Sequence, residues 1–149
     1  MQKTFEILNN INHPNNEPIA YRLYKLEDDY SIDIKINNDI YTIVTHKGFL
    51  YDGASVPRFA WTISGLTPDG LLRAAALVHD VFYVHKGVLD LKTKDVTVYK
   101  NGQLSTLTLT RKESDQLFKA ILIKSHVTKF KANLAYHSVR IGGYYKWKT

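Results

Sequence analysis

The sequence contains no cysteine, which excludes disulfides, thiolate zinc sites and a cysteine nucleophile. The absence leaves the compartment open, because such a chain suits reducing and oxidising surroundings alike. No apolar run approaches the roughly 18 residues needed to cross a bilayer. Met1 to Asn10 lack the basic start and continuous apolar stretch of a signal peptide. The expectation is a protein with no transmembrane segment and no encoded route through a membrane. Phosphate loops and dinucleotide fingerprints are missing too. Ser55 in Gly53-Ala54-Ser55 is not a hydrolase elbow, since that motif needs glycine on both sides.

Acidic residues are absent from one whole end of the chain. Residues 1–60 carry six basic and eight acidic side chains, and residues 61–115 carry seven and six. Residues 116–149 carry Lys119, Lys124, Lys129, Lys131, Arg140, Lys146 and Lys148 with no acid, which concentrates the net charge of +6 at that end. A one-signed segment attracts phosphates of lipid or nucleic acid, or an acidic protein surface; its ordinary alternative is a solvated face. Tyr144, Tyr145 and Trp147 interleaved with Lys146 and Lys148 have the composition to stack bases. A short aromatic tail more often folds back on its own domain, so nucleic acid is not the expected partner.

What is present suits a globular fold. Hydrophobic residues make up 44% and charged residues 23% of 149, which argues against disorder and allows a real core without disulfides. With no repeat, linker or low-complexity segment, a single domain over residues 1–149 is expected. Residues 1–50 read as mostly β; residues 51–149 read as a loop, helices and a hairpin wing. Ile19 to Lys25, Ser31 to Ile36 and Ile40 to His46 are the strand candidates. Ser31 to Ile36 alternates so that its isoleucines share one face, and Asn37-Asn38-Asp39 suits a tight turn. Tyr51 to Arg58 has no period and is punctuated by Gly53 and Pro57, so it reads as a structured loop.

Thr67-Pro68-Asp69 then opens a helix that should run to about His85, with Gly87 past its end. Val96 to Tyr99 and Leu104 to Leu109 flank Asn101-Gly102, a strong hairpin signal. Thr110 with Glu113 forms a capping box for a helix to Ser125, and a third helix runs from Thr128 to Ile141. The fold class is therefore α+β: an N-terminal antiparallel sheet, two packed core helices with an intervening β-hairpin, and a third, C-terminal helix.

Chemistry concentrates on the two core helices. His79 lies on the apolar stripe of the Pro68 helix with Tyr83 one turn further along, and Asp80 is rotated by about 100° from His79. Asp115 borders the apolar face of the Thr110 helix. If these faces pack, Asp115 orients one nitrogen of His79, Tyr83 donates to the same carboxylate, and the other imidazole nitrogen serves as a general base. Asp80 is then placed for a divalent cation, together with backbone carbonyls around Gly53. The alternative is structural: a histidine on an apolar stripe is commonly a core residue with satisfied nitrogens. In that reading Asp52, Ser55, Arg58, His79, Asp80 and Asp115 form a polar network that holds helices against the loop.

His79-Asp80 with Tyr83, a hairpin, and Ser114-Asp115 with Phe118 resemble the core of secreted and viral-type phospholipases A2, over about residues 51–122. The resemblance implies His79 as water-activating base, Asp115 as its orienter, Tyr83 as support for Asp115, and calcium at Asp80 and the loop around Gly53. Two departures stand out. The glycine-rich calcium loop is replaced by Tyr51-Asp52-Gly53-Ala54-Ser55, and the disulfides of that family are missing.

A longer resemblance is to an uncharacterised tailed-phage domain family, domain of unknown function 1353. It is carried by Asp52-Gly53-Ala54-Ser55-Val56-Pro57, Ala76 through His79-Asp80 and Tyr83, and Arg111 with Ser114-Asp115 and Phe118. Tyr136, Val139-Arg140, Gly143 and Trp147 complete it. This implies a phage origin, with the virion or the bacterial host cytoplasm as location, and leaves activity open. The candidates are a hydrolase acting on anionic lipid and a non-catalytic tail, baseplate or assembly component bound to other phage proteins. A third reading takes His46, His79-Asp80 and Asp115 as the metal set of HD-domain phosphohydrolases. Against it, that fold is wholly helical, whereas His46 ends an expected strand.

Overall fold

The computed structural model describes residues 3–20, 23–51 and 72–148. Ten strands and four helices occur among them: β1 (Phe5–Ile7), β2 (Asn16–Ala20), β3 (Leu23–Leu26), β4 (Tyr30–Ile36), β5 (Asp39–Thr45), β6 (Leu50–Tyr51), α1 (Leu72–Val84), β7 (Val88–Leu89), β8 (Val96–Lys100), β9 (Gln103–Leu104), β10 (Leu107–Thr108), α2 (Arg111–Lys124), α3 (Lys129–Gly142) and α4 (Tyr144–Lys148). The chain is an α+β protein: antiparallel strands lead, and the β-hairpin between the two core helices, α1 and α2, adds to the main sheet.

The main sheet has five strands in the order β1-β4-β5-β8-β9. Its strongest local determinant is β4, where Tyr30, Ile32, Ile34 and Ile36 are buried and alternate with Ser31, Asp33 and Lys35, which are not. That period of two puts one face on the core and one toward water. On the wet face Thr42 donates to its cross-strand partner Asp33 at 2.6 Å. Asn37 takes φ 55° in the turn to β5, the left-handed conformation that asparagine tolerates best among non-glycine residues.

Three features differ from the pattern read in the sequence. First, Ile19 to Lys25 is not one strand: β2 and β3 pair antiparallel, with Asn16 opposite Leu26 and Ala20 opposite Leu23. Period and β-propensity run through the fold-back unchanged, so local pattern does not mark it. Pro18 is tolerated because β2 is an edge strand of the three-stranded sheet β2-β3-β6. Second, Phe5–Ile7 forms an edge strand on β4 that is too short for periodicity to reveal. Third, the hairpin does not stand apart as a wing. β8 pairs along β5 from Tyr41↔Lys100 to Thr45↔Val96, and Val96, Thr97 and Val98 are buried within the main sheet. Asn101 and Gly102, at φ 50° and +86°, make the expected tight turn to β9. The rest of the expected Leu104–Leu109 strand leaves at Ser105, and β10 pairs with β7 instead.

Helix α1 is the core element. Every residue from Ala74 to Tyr83 is buried, so the helix is enclosed on all sides rather than along one stripe. Its expected start at Thr67-Pro68-Asp69 lies outside the described residues. At its end Lys86 and Gly87 are both left-handed, at φ 51° and +85°. The Lys86 amide donates to the Tyr83 carbonyl and the Gly87 amide to the Phe82 carbonyl, which satisfies carbonyls the helix leaves over. Helix α2 begins with the capping box: the Glu113 amide donates to Thr110 Oγ1 at 3.1 Å, and the Thr110 amide to Glu113 Oε1 at 2.9 Å. Leu77, Phe82, Leu117, Phe118, Ile121, Ile32, Ile34 and Ile43 belong to one buried cluster that joins helices and sheet.

Gly87 sits where the end of α1 meets Leu109, just before α2. A Cβ there would lie 2.0 Å from the Leu109 carbonyl oxygen and 2.8 Å from the Trp147 ring. Gly87→Ala therefore meets both left-handed strain and a backbone collision, and should destabilise by about 2 kcal/mol or more. Thr110→Ala should remove only a cap, about 1 kcal/mol. Urea unfolding of both variants beside wild type checks the order.

Candidate active site

His79 and Asp115 meet in the interior. Three apolar-rich helices converge there, because α1 packs on α2 and α2 on α3. The His79 Nε2 nitrogen lies 2.6 Å from Asp115 Oδ1, and both side chains have 0% exposure. The Tyr83 hydroxyl donates to the same oxygen at 2.6 Å. This follows from helical spacing, since residues four apart stack on one side of α1. The His79 and Tyr83 rings lie 4.2 Å apart between centroids, and the Phe118 ring lies 4.8 Å from the imidazole.

The second carboxylate oxygen is taken by a residue the sequence reading did not place in the site. Arg140 Nη1, in the last turn of α3, donates to Asp115 Oδ2 at 2.8 Å. In the sequence it figures in the Val139-Arg140 piece of the phage-family resemblance, with no role attached, and in the composition. Arg140 is the one arginine among the seven cations of residues 116–149, and the planar guanidinium is the better partner for a buried carboxylate. Arg111 supports the same corner from α2. Its Nη2 donates to the Val139 carbonyl at 3.1 Å and also to that of Arg140.

The carboxylate state of Asp115 is favoured against its burial. Burial alone would raise its pKa, but the hydrogen bond and charge of His79 oppose this, with hydrogen bonds from Tyr83 and Arg140, and the net shift is downward. Tyr83 is shifted strongly upward, first by burial and then by the negative charge and hydrogen bond of Asp115, so its phenol stays protonated as a donor.

The aromatic end of the chain completes the surround. Trp147 meets the Tyr83 ring edge to face at 5.0 Å, so the tail folds back on the domain. Gly143 passes so close that a Cβ there would lie 2.7 Å from the Tyr83 hydroxyl.

The other candidates divide. Asp80 follows His79 on α1 and is buried at 5% exposure. It addresses a different neighbourhood: Tyr51 at the end of β6 is pushed to a higher pKa by burial first, with Arg73 opposing and Asp80 adding to the shift. Gly53, Asp52, Ser55 and Arg58 lie outside the described residues. Calcium takes six to eight oxygen ligands, and no three His, Asp or Glu side chains come together as a metal site among the described residues. Asp80 is thus not part of a cluster of three such side chains among the described residues, and the carbonyls around Gly53 lie outside them.

The same holds for the set His46, His79, Asp80 and Asp115, and it corrects the phosphohydrolase reading. The His46 ring lies at the end of β5, bonded to Thr97 Oγ1 at 2.6 Å and 3.6 Å from Asp29. The fold there is a sheet, where that reading needs helices.

A mixed α+β protein with a buried His-Asp-Tyr cluster between its helices, closed by a partly exposed arginine, is the class these observations define. The chain belongs to the family described as protein of unknown function (DUF1353), whose model matches residues 24–139. No curated protein and no solved structure matches it significantly. No helix among the described residues is long and apolar enough to cross a membrane.

The downward shift of Asp115 has a definite consequence for acid stability. A carboxyl with a depressed folded pKa contributes fully above its unfolded value, about 3.9, and the contribution is lost as pH falls through the lower folded value. Acid unfolding of wild type should therefore include a component below about pH 4 that Asp115→Asn lacks. At neutral pH Asp115→Ala should destabilise by about 3 kcal/mol, since it leaves the donors of His79, Tyr83 and Arg140 without an acceptor. Urea titrations across pH read both effects.

Proposed function

We propose that this protein is a phage-associated hydrolase of phospholipase A2 type that acts on lipid esters. The supporting observation is the Asp115 oxygen that takes both His79 Nε2 and the Tyr83 hydroxyl. With its proton on Nε2, directed at Asp115, the neutral imidazole carries its lone pair on Nδ1. That nitrogen is the one to take a proton from water as the water oxygen bonds to the ester carbonyl carbon. Asp115 then stabilises the imidazolium. The imidazolium returns the proton to the leaving alkoxide as the ester C–O bond breaks, giving a carboxylic acid and an alcohol. Tyr83 holds Asp115 in place and takes no part in bond-making.

The phage origin rests on the sequence motifs from Asp52 to Trp147. Asp80 with the carbonyls around Gly53 is the proposed cation site, and no step above runs through it.

A second reading has its own observation: the His79 side chain has no exposed surface. A base with no access to substrate is a structural residue. On this reading the protein is a non-catalytic tail, baseplate or assembly component whose His79-Asp115 pair locks α1 to α2.

His79→Ala separates the two. The hydrolase reading expects ester turnover in wild type and its loss in the variant by a factor of about 100 or more, with the fold retained by circular dichroism. Wild type without turnover on mixed phospholipid vesicles, or turnover that survives in the variant, rejects it. Calorimetric titration of calcium into wild type and Asp80→Asn checks the cation. Saturable binding that vanishes in the variant supports Asp80 as ligand, and no binding at millimolar calcium removes calcium from the proposal.

A further inference from the structure

Helix α3 buries one apolar face and also exposes two large apolar residues on its outer side. Its inner face, with Ala132, Ala135 and Val139, is buried against the domain. On the opposite side Phe130 and Ile141 are 72% and 74% exposed. They are about three turns apart and so lie on one line along the helix, with Leu134 half-buried and His137 exposed between them. Lys129 and Lys131 are exposed on either side of Phe130. Beyond the helix, Tyr145 is 76% exposed.

We propose that this ridge seats the protein on an anionic lipid bilayer, with Phe130 and Ile141 in the headgroup–acyl boundary and the flanking lysines on lipid phosphates. The inference deepens the lipid reading of function, on which it rests for the kind of surface involved.

Charge selects this occupant. Residues 116–149 hold seven basic and no acidic side chains. A second copy docked through the same face would bring two positive surfaces together. A neutral bilayer would leave the lysines without counter-charges, whereas a basic amphipathic face with protruding aromatic and aliphatic residues suits an anionic one. Nucleic acid would satisfy the lysines but gives Ile141 no apolar partner.

The test is co-sedimentation of the full chain with vesicles of phosphatidylglycerol mixed into phosphatidylcholine, or of phosphatidylcholine alone. Wild type should bind the anionic vesicles, bind the neutral ones weakly, and be released by high salt. Lys129→Gln with Lys131→Gln should weaken binding roughly twentyfold. Phe130→Ser with Ile141→Ser should weaken it about tenfold or more, with an unchanged melting temperature because both positions are exposed. No partition onto anionic vesicles overturns the proposal, and so does binding indifferent to the Phe130 and Ile141 changes. Concentration-dependent dimerisation, or binding to a DNA duplex, overturns it too if abolished by those two changes.

Binding is read apart from turnover. Vesicle binding without hydrolysis rejects the hydrolase reading alone, and hydrolysis without ridge-dependent binding rejects the docking face alone.

Discussion

A carboxylate with no exposed surface is expensive to bury, and the organisation of the helices follows from how Asp115 is compensated. Removing such a group from water carries a penalty of several kcal/mol, offset only when its lone pairs are met by well-placed donors and opposite charge. Asp115 receives His79 and Tyr83 from α1 on one oxygen and Arg140 from α3 on the other. A single residue of α2 therefore sets the position of both neighbouring helices, and none of the three can slide without breaking a charge-assisted bond. The tolerance is tight further out as well. Gly143 has no room for a Cβ beside the Tyr83 hydroxyl, and Trp147 closes on the Tyr83 ring. The end of the chain is thereby tied to the same carboxylate through one tyrosine.

Much of this was legible in the sequence wherever the cause is local. The alternation of Ser31 to Ile36, the Thr110–Glu113 box and the Asn101-Gly102 turn each depend on neighbours within a few residues, and each stands where the sequence places it. The His79, Tyr83 and Asp115 contact is long-range, yet it could be read. Two core helices that follow one another in the chain with only short strands between them have few ways to pack, and the polar residues bordering their apolar faces must then meet.

What escaped detection depends on pairing between distant segments. Nothing near Val96 to Val98 says that this strand slots beside β5, because a buried β-branched run looks the same in a wing or in a sheet. Phe5–Ile7 is too short for a period. Arg140 belongs to the site through the approach of α3 to α2, a long-range pairing that its place in the Val139-Arg140 motif does not reveal.

The cluster also bears on how the two functional readings relate. Pairing with Arg140 disperses the negative charge of Asp115, and a carboxylate so shared pulls less strongly on a neighbouring imidazolium than one held by neutral donors alone. The arrangement thus gives up some electrostatic assistance to a base in return for a carboxylate met by donors on both oxygens. Tyr83 works in the opposite sense. It fixes Oδ1, the oxygen that faces His79, without adding positive charge, and so protects the orientation of the imidazole while Arg140 anchors the far oxygen. Orientation and anchoring fall on different oxygens of one residue. Such a division lets the same carboxylate hold helices together and present a ring nitrogen in a defined tautomer, so structural need and a base role are not exclusive at Asp115. They become distinguishable only at His79, where deleting the ring removes one donor to Asp115 and leaves Tyr83 and Arg140 to keep the carboxylate in place.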